Sequence, residues 1–377
     1  MAGACSDDWE VSRQTCNHSL LSSILHGIYR VLRFHSDSGA VMSVPELVYF
    51  RLLRTCNARC SYCPSWQMAK QYPALDRIID IIDGIGETGA EEIRLTGGEP
   101  VLHPDFFSIV SHAKAAGLRV SCITNGTLFH KRYIDMTRGA GLDGVVLSLD
   151  APDEHIHDAI RGPGFYGNAM IGAELLQTLP HRPWLGINMV VSRASIGSIR
   201  LAIESYARFR LRYLHFIPVK DAPDVTPDLG QIRTHNAVRA ELVALAKDLQ
   251  VRLVPADLNL YGLSGEDVAD SARGRYPARN FCYVPHRQAF VDAVTGLVWP
   301  CDSTPYPSRN GATVGDLAVA RFPEIWNGPS FRKLRAAFAR AKPVPCSRKC
   351  DPFNSEDSDR YRLVEKAGSG LAIAGGA

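Results

Sequence analysis

The sequence predicts an α/β fold, a partial (β/α)6 barrel of TIM type followed by a small C-terminal α+β domain. Three observations predict it. Between residues 46 and 219, six short β-rich runs alternate with stretches of helical periodicity. Beyond residue 281 that alternation gives way to a hairpin signal and one further helix. With 377 residues, 46% of them hydrophobic, the chain can bury one large core with a smaller one appended.

Residues 1–44 read as an N-terminal extension around an amphipathic stretch, Leu20 to Phe34, expected to pack on the barrel because its polar face carries only two arginines. The barrel spans 45–225, with strands predicted at 46–53, 92–98, 119–125, 144–150, 185–192 and 213–219. Between them, helices are predicted at 76–86, where Ile78, Ile79, Ile81, Ile82 and Ile85 form a stripe, and around 105–116, 129–139, 168–178 and 197–210. Such repeats imply parallel strands. Residues 226–280 read as a linker with a helix from Thr234 to Leu249 and a short strand from Val251 to Pro255. The C-terminal domain, 281–355, alternates from Gln288 to Pro300 around Thr295-Gly296 and continues into a helix from Ser330 to Ala341. Residues 356–377 end in small-residue low complexity and read as a disordered tail.

A net charge of +3 gives no strong pull toward nucleic acid. No stretch approaches the roughly 20 apolar residues a bilayer span requires. With no secretory signal pattern, a cytoplasmic setting is expected. In such a setting clustered cysteines read as metal ligands before disulfides.

Ten cysteines are unevenly placed. Cys56, Cys60 and Cys63 form C-x3-C-x2-C directly after the first strand, on the face where barrels of this kind place their chemistry. Three thiolates leave one iron of a four-iron cube without a protein ligand. A zinc site would ordinarily close with four ligands. One strand further on, Thr96-Gly97-Gly98-Glu99-Pro100 combines glycines that permit close backbone approach with a carboxylate that can accept from an ammonium group.

C-x3-C-x-Φ-C together with G-G-E-P resembles the radical S-adenosylmethionine (SAM) superfamily over residues 46–220. The resemblance implies that Cys56, Cys60 and Cys63 bind a [4Fe–4S] cluster whose open iron is chelated by SAM. Tyr62 would lie near the adenine, and Gly97, Gly98 and Glu99 would hold the SAM ammonium. Thr124 and Asn125, then Ser148 and Asp150, would contact the methionine and ribose portions. Asn188, Arg193 and Ile217-Pro218 would be further SAM neighbours. The implied mechanism is reductive cleavage of SAM to a 5′-deoxyadenosyl radical, which takes a hydrogen atom from an unactivated carbon. A low-potential electron donor such as flavodoxin or ferredoxin would be required.

Cys282, Cys301, Cys346 and Cys350 are separated by 18, 44 and 3 residues around the hairpin and Glu324-Ile325-Trp326-Asn327. This pattern is similar to the Twitch/SPASM extension of the same superfamily, which implies one auxiliary [4Fe–4S] cluster. Four thiolates also suit a structural zinc, the basis of a non-enzymatic alternative. A radical SAM enzyme with one fully ligated auxiliary cluster resembles the Twitch dehydrogenase of aminoglycoside biosynthesis, and that resemblance implies an oxidoreductase that oxidises or epimerises a sugar or aminocyclitol in antibiotic biosynthesis. Maturation of a ribosomally made peptide is the alternative. Cys122, two residues before Thr124, would return a hydrogen atom in an epimerase if that face of the strand lines the barrel, and otherwise packs as a small core residue. His155 and His157 are expected on a solvated helix start, and Lys220 and Asp221 are acid–base candidates by position alone. Cys5 and Cys16 are read as incidental.

Overall fold

The computed structural model describes residues 44–219, 222–262, 268–269, 284–302 and 313–338, which fall in one compact unit, Val44–Glu356. Six strands run parallel in chain order: β1 (Leu47–Leu53), β2 (Glu92–Gly97), β3 (Arg119–Thr124), β4 (Gly144–Ser148), β5 (Trp184–Val191) and β6 (Tyr213–Pro218). A short β7 (Leu253–Val254) adds in parallel beyond β6.

Five helices follow the predicted alternation, α1 (Leu75–Glu87), α2 (Phe106–Ala115), α3 (Lys131–Ala140), α5 (Phe165–Gln177) and α6 (Ile199–Tyr206), and α4 (Glu154–Arg161) is an additional helix between β4 and α5, where only a solvated helix start was expected. The long linker helix, α7 (Leu229–Asp248), starts five residues before the expected Thr234. Its start is set by a capping box, in which Asp228 accepts from the Gln231 amide and Gln231 accepts from the Asp228 amide. An α8 turn (Val284–Arg287) leads into β8 (Gln288–Asp292), which reverses into β9 (Leu297–Trp299), with β10 (Gly315–Asp316) antiparallel beside it. Gly296, in the expected hairpin, has φ +81°, a conformation only glycine adopts freely. Helices α9 (Phe322–Trp326) and α10 (Pro329–Phe338) follow.

The sheet order is β10-β9-β8-β1-β2-β3-β4-β5-β6-β7. The hairpin of the C-terminal domain is therefore an extension of the barrel sheet, because β8 pairs in parallel with β1. Sequence alternation gave no hint of this partner.

Alternate side chains face two cores. On the outer face, Val48, Phe50, Ile93, Leu95, Val120, Val145 and Leu147 pack against helix residues that include Ile78, Ile82, Phe106 and Ile109. The inner face is floored by a polar knot in which buried Arg94 bonds Glu92 at 2.7 Å and Ser121 at 3.0 Å. The Arg94 guanidinium lies 5.6 Å from both the Tyr49 ring on β1 and the Trp184 ring on β5. A flat sheet would hold the backbones of β2 and β5 about 14 Å apart. The sheet therefore curls around this arginine into an open, partial barrel. Gly144 is required there, since a Cβ would sit 2.0 Å from the Trp184 ring.

The N-terminal extension, the tail, Cys5, Cys16, Lys220, Asp221, Cys282, Cys346 and Cys350 lie outside the described residues.

Candidate active site

The loop that follows β1 carries Cys56, Cys60 and Cys63 to the C-terminal end of the sheet, where all three line one cavity with Tyr62, Glu99 and Asn188. The glycines of β2 hold this loop in place. Gly98 N donates to Leu53 O at 2.9 Å, and Glu99 N to Thr55 O at 2.8 Å. A Cβ on Gly97 would fall 2.3 Å from Leu53 O, and one on Gly98 would fall 2.1 Å from Thr55 O. The close approach these glycines permit is thus first of all to the backbone entering the cysteine loop.

Glu99 is buried with its carboxylate engaged three times. It accepts from Val101 N at 3.2 Å, Thr124 Oγ1 at 2.8 Å and Asn125 N at 2.7 Å. Burial pushes its carboxyl up to about 7, against the pull of those donors. Asn125 in turn donates to Asn57 Oδ1 at 2.8 Å, and Asn57 donates to Thr127 Oγ1 at 2.9 Å. The loops after β1, β2 and β3 are thereby fastened to one another.

On the other side, α4 grips the cysteine loop. Its last carbonyls, on Ile160 and Arg161, each accept a backbone amide, from Ser61 and Arg59, both at 3.0 Å. Arg161 reaches Asp150 through Nε at 2.7 Å and Nη2 at 3.0 Å, and Nη2 also donates to Tyr62 Oη at 2.7 Å. Tyr62 donates to Asp150 at 2.7 Å, and Val190 N at 3.0 Å. Asp150 is fully buried beneath the cavity and is not among its lining residues. His157 is fully buried, and its ring accepts the Asp150 amide at 3.2 Å. The solvated setting expected for it is corrected: α4 turns this face inward to reach the strand end.

Burial pushes the Cys56 thiol up to about 12 and raises the Cys60 thiol as well. These thiols stay protonated at neutral pH unless a metal centre displaces the protons. Among the described residues no three His, Cys, Asp or Glu side chains converge on a single-ion position. The three thiols share one cavity, a donor set that fits three irons of a four-iron cube and leaves the fourth open. Asn188 Oδ1 is buried at the cavity wall with no hydrogen-bond partner, so a donor on a bound molecule fits there.

Comparison with known proteins agrees with this geometry. The family model of the radical SAM superfamily matches residues 50–192, and that of the SPASM iron–sulfur cluster-binding domain matches residues 282–351. An AdoMet-dependent heme synthase of Oleidesulfovibrio alaskensis is 31% identical over 318 residues, covering 77% of this chain and 76% of that protein. The chain belongs to the radical SAM superfamily. The mycofactocin maturase MftC of Mycobacterium ulcerans is 26% identical over 302 residues, covering 78% of each chain. Streptococcus suis SuiB, solved with S-adenosylmethionine bound, superposes with a TM-score of 0.58 at 15% identity, covering 78% of this chain and 68% of that one. It shares the fold. Membership sets aside the non-enzymatic zinc-protein reading and gives this radical SAM enzyme a [4Fe–4S] cluster, SAM and an auxiliary iron–sulfur domain.

Other expected site residues distribute as follows. Gly97, Gly98, Thr124, Asn125, Ser148 and Ile217 line the cavity. Ser148 and Asn188 are register partners on β4 and β5. Arg193 is exposed outside the cavity, with its amide bonded to Val225 O at 2.7 Å and Nε to Thr226 O at 3.1 Å. Cys122 is fully buried in the outer core between sheet and helices, so its hydrogen-atom role is corrected. Ile123, one residue on, lines the cavity instead. Cys301 is buried just beyond β9. Arg161 and Asn57 were missed as site residues. Their signals were an arginine before a Gly-Pro-Gly turn and an amide side chain within the cysteine motif.

Proposed function

We propose that this radical SAM enzyme oxidises a large, partly apolar substrate, with the AdoMet-dependent heme synthases as its functional model. The observation that carries the oxidative part is the pairing of β8 with β1, reinforced where Arg51 and Arg54 both bond Asp292 Oδ2, at 3.2 and 2.9 Å. One sheet thus links the strand that feeds the three-cysteine loop to the strand that opens the SPASM region, whose cluster would accept the substrate electron.

Cys56, Cys60 and Cys63 would hold the cluster, and one auxiliary cluster would take Cys282, Cys301, Cys346 and Cys350. Cluster and SAM together supply a radical able to take a hydrogen atom from an unactivated carbon. The chain's own residues position and enclose. Glu99 would accept from the SAM ammonium while it ties down the loops after β2 and β3. Asn188 offers its unpaired Oδ1 to a SAM hydroxyl or amine, beside Ser148. Tyr62, Ile123, Val190 and Ile217 keep water from the reacting carbon.

Substrate size follows from the stretch after Cys63. Trp66, which lines the cavity, is 39% exposed, and Met68 and Tyr72 farther along are 42% and 48% exposed. An exposed indole at the cavity, on a stretch that carries further exposed apolar side chains, suits a substrate that overhangs it. A sugar or aminocyclitol, the substrate expected from sequence, offers hydroxyls and little apolar face to such a rim. A tetrapyrrole or a peptide offers both size and apolar surface. Peptide maturation is the second reading, favoured by the similarity to the mycofactocin maturase. A flavodoxin or ferredoxin would deliver the electron, in a cytoplasmic setting.

The test incubates anaerobically reconstituted enzyme with SAM, reductant and one of three probes: an iron porphyrin, a hydrophobic peptide or an aminocyclitol. Formation of 5′-deoxyadenosine with an oxidised porphyrin supports the proposal. Turnover of the aminocyclitol alone overturns it.

A further inference from the structure

The C-terminal end of α4 is an unfavourable neighbour for thiolates. Two of its last carbonyls point at the cysteine loop, and a helix C-terminus carries partial negative charge. Bringing three thiolates and an iron–sulfur cube against it calls for a compensating cation. Arg161, the last residue of α4, is a buried arginine that lines the same cavity as the three cysteines.

We propose that Arg161 is a positioning residue for the three-cysteine loop, and that its guanidinium raises the reduction potential of the cluster held there. The guanidinium is fixed by two bonds to Asp150 and one to Tyr62 Oη, so it cannot swing away into solvent. Asp150 in turn is held by Val190 N and by Tyr62. Although Arg161 and Asp150 neutralise each other overall, Arg161 lines the cavity with the three cysteines while Asp150 lies buried beneath it, so the positive end of the pair is the one at the cavity. His157 adds no charge, since burial and Arg161 hold its ring at about 4. Tyr62 carries the contact into the cysteine motif itself, between Cys60 and Cys63.

This inference rests on Cys60 being a cluster ligand, which iron analysis of wild-type and Cys60→Ser proteins tests by itself. The inference is tested with Arg161→Gln, Arg161→Lys and Asp150→Asn holoenzymes. Iron and sulfide are counted, and the potential of the SAM-responsive cluster is measured by spectroscopic titration without SAM. Removing the cation should shift the potential down, and removing its counter-charge should shift it up. Arg161→Lys should stay near wild type. An Arg161→Gln protein with full iron and an unmoved potential overturns the proposal. If Arg161→Gln fails to load, Asp150→Asn decides: an upward shift sustains the proposal, and no shift or a downward one overturns it.

Discussion

Arg54 Nη2 lies 2.9 Å from Asp292 Oδ2, so the residue two places before Cys56 is ion-paired with the last residue of β8. Arg51 joins the same oxygen at 3.2 Å, and Asp292 is fully buried beneath both. The cysteine loop and the SPASM hairpin therefore share one anchor.

Replacing Asp292→Ala strands two arginines and the Val294 amide that Asp292 also accepts. Loss of one partner of a buried pair is costly, but these arginines are partly exposed and retain some hydration. The expected destabilisation is about 2 kcal/mol, read as a lower thermal midpoint. An unchanged midpoint would show that β8 holds to β1 without the anchor.

Cys60→Ser should lose the SAM-cleaving cluster while the SPASM cluster persists. Iron per chain should fall from about eight to about four, and reductive SAM cleavage should vanish. Full iron with continued cleavage would refute the assignment of Cys60.

Cys301→Ala should do the reverse. About four irons should again be lost, but uncoupled SAM cleavage should continue while the oxidised product disappears. Retention of about eight irons would remove Cys301 from the ligand set.

Glu99 gives the apoprotein a distinctive pH dependence. Its folded carboxyl is raised from 4.5 to about 7, so between those values the folded state binds more protons than the unfolded one. Its contribution to stability is therefore complete below 4.5 and lost as pH rises through 7. His157 acts in the opposite sense, since its depressed folded value, about 4, costs stability as pH falls from 6.5. The difference between wild type and Glu99→Gln isolates the carboxylate: over this range wild type should lose stability relative to the variant as pH rises. Parallel thermal-midpoint curves would contradict the burial effect.

Gly98→Ala places a methyl 2.1 Å from Thr55 O, so the loop leading into Cys56 must move. Iron loading should drop even though no ligand is changed. Normal loading would mean that the cysteine loop tolerates displacement.

The parts of this protein that depend on neighbouring residues were legible in its sequence. Strands and helices alternate as the periodicity requires, and C-x3-C-x2-C and G-G-E-P identify the chemistry because their members sit within a few residues of one another. What depends on distant residues was not. Which face of β3 turns inward decided that Cys122 belongs to the core and Ile123 to the cavity, and strand alternation alone cannot say which face is which. Likewise the partnership of Arg161 with Tyr62 spans 99 residues, and that of Arg54 with Asp292 spans 238. Periodicity reports only that a side chain is on one side of its own element, whereas a charge finds its counter-charge through the curl of the whole sheet.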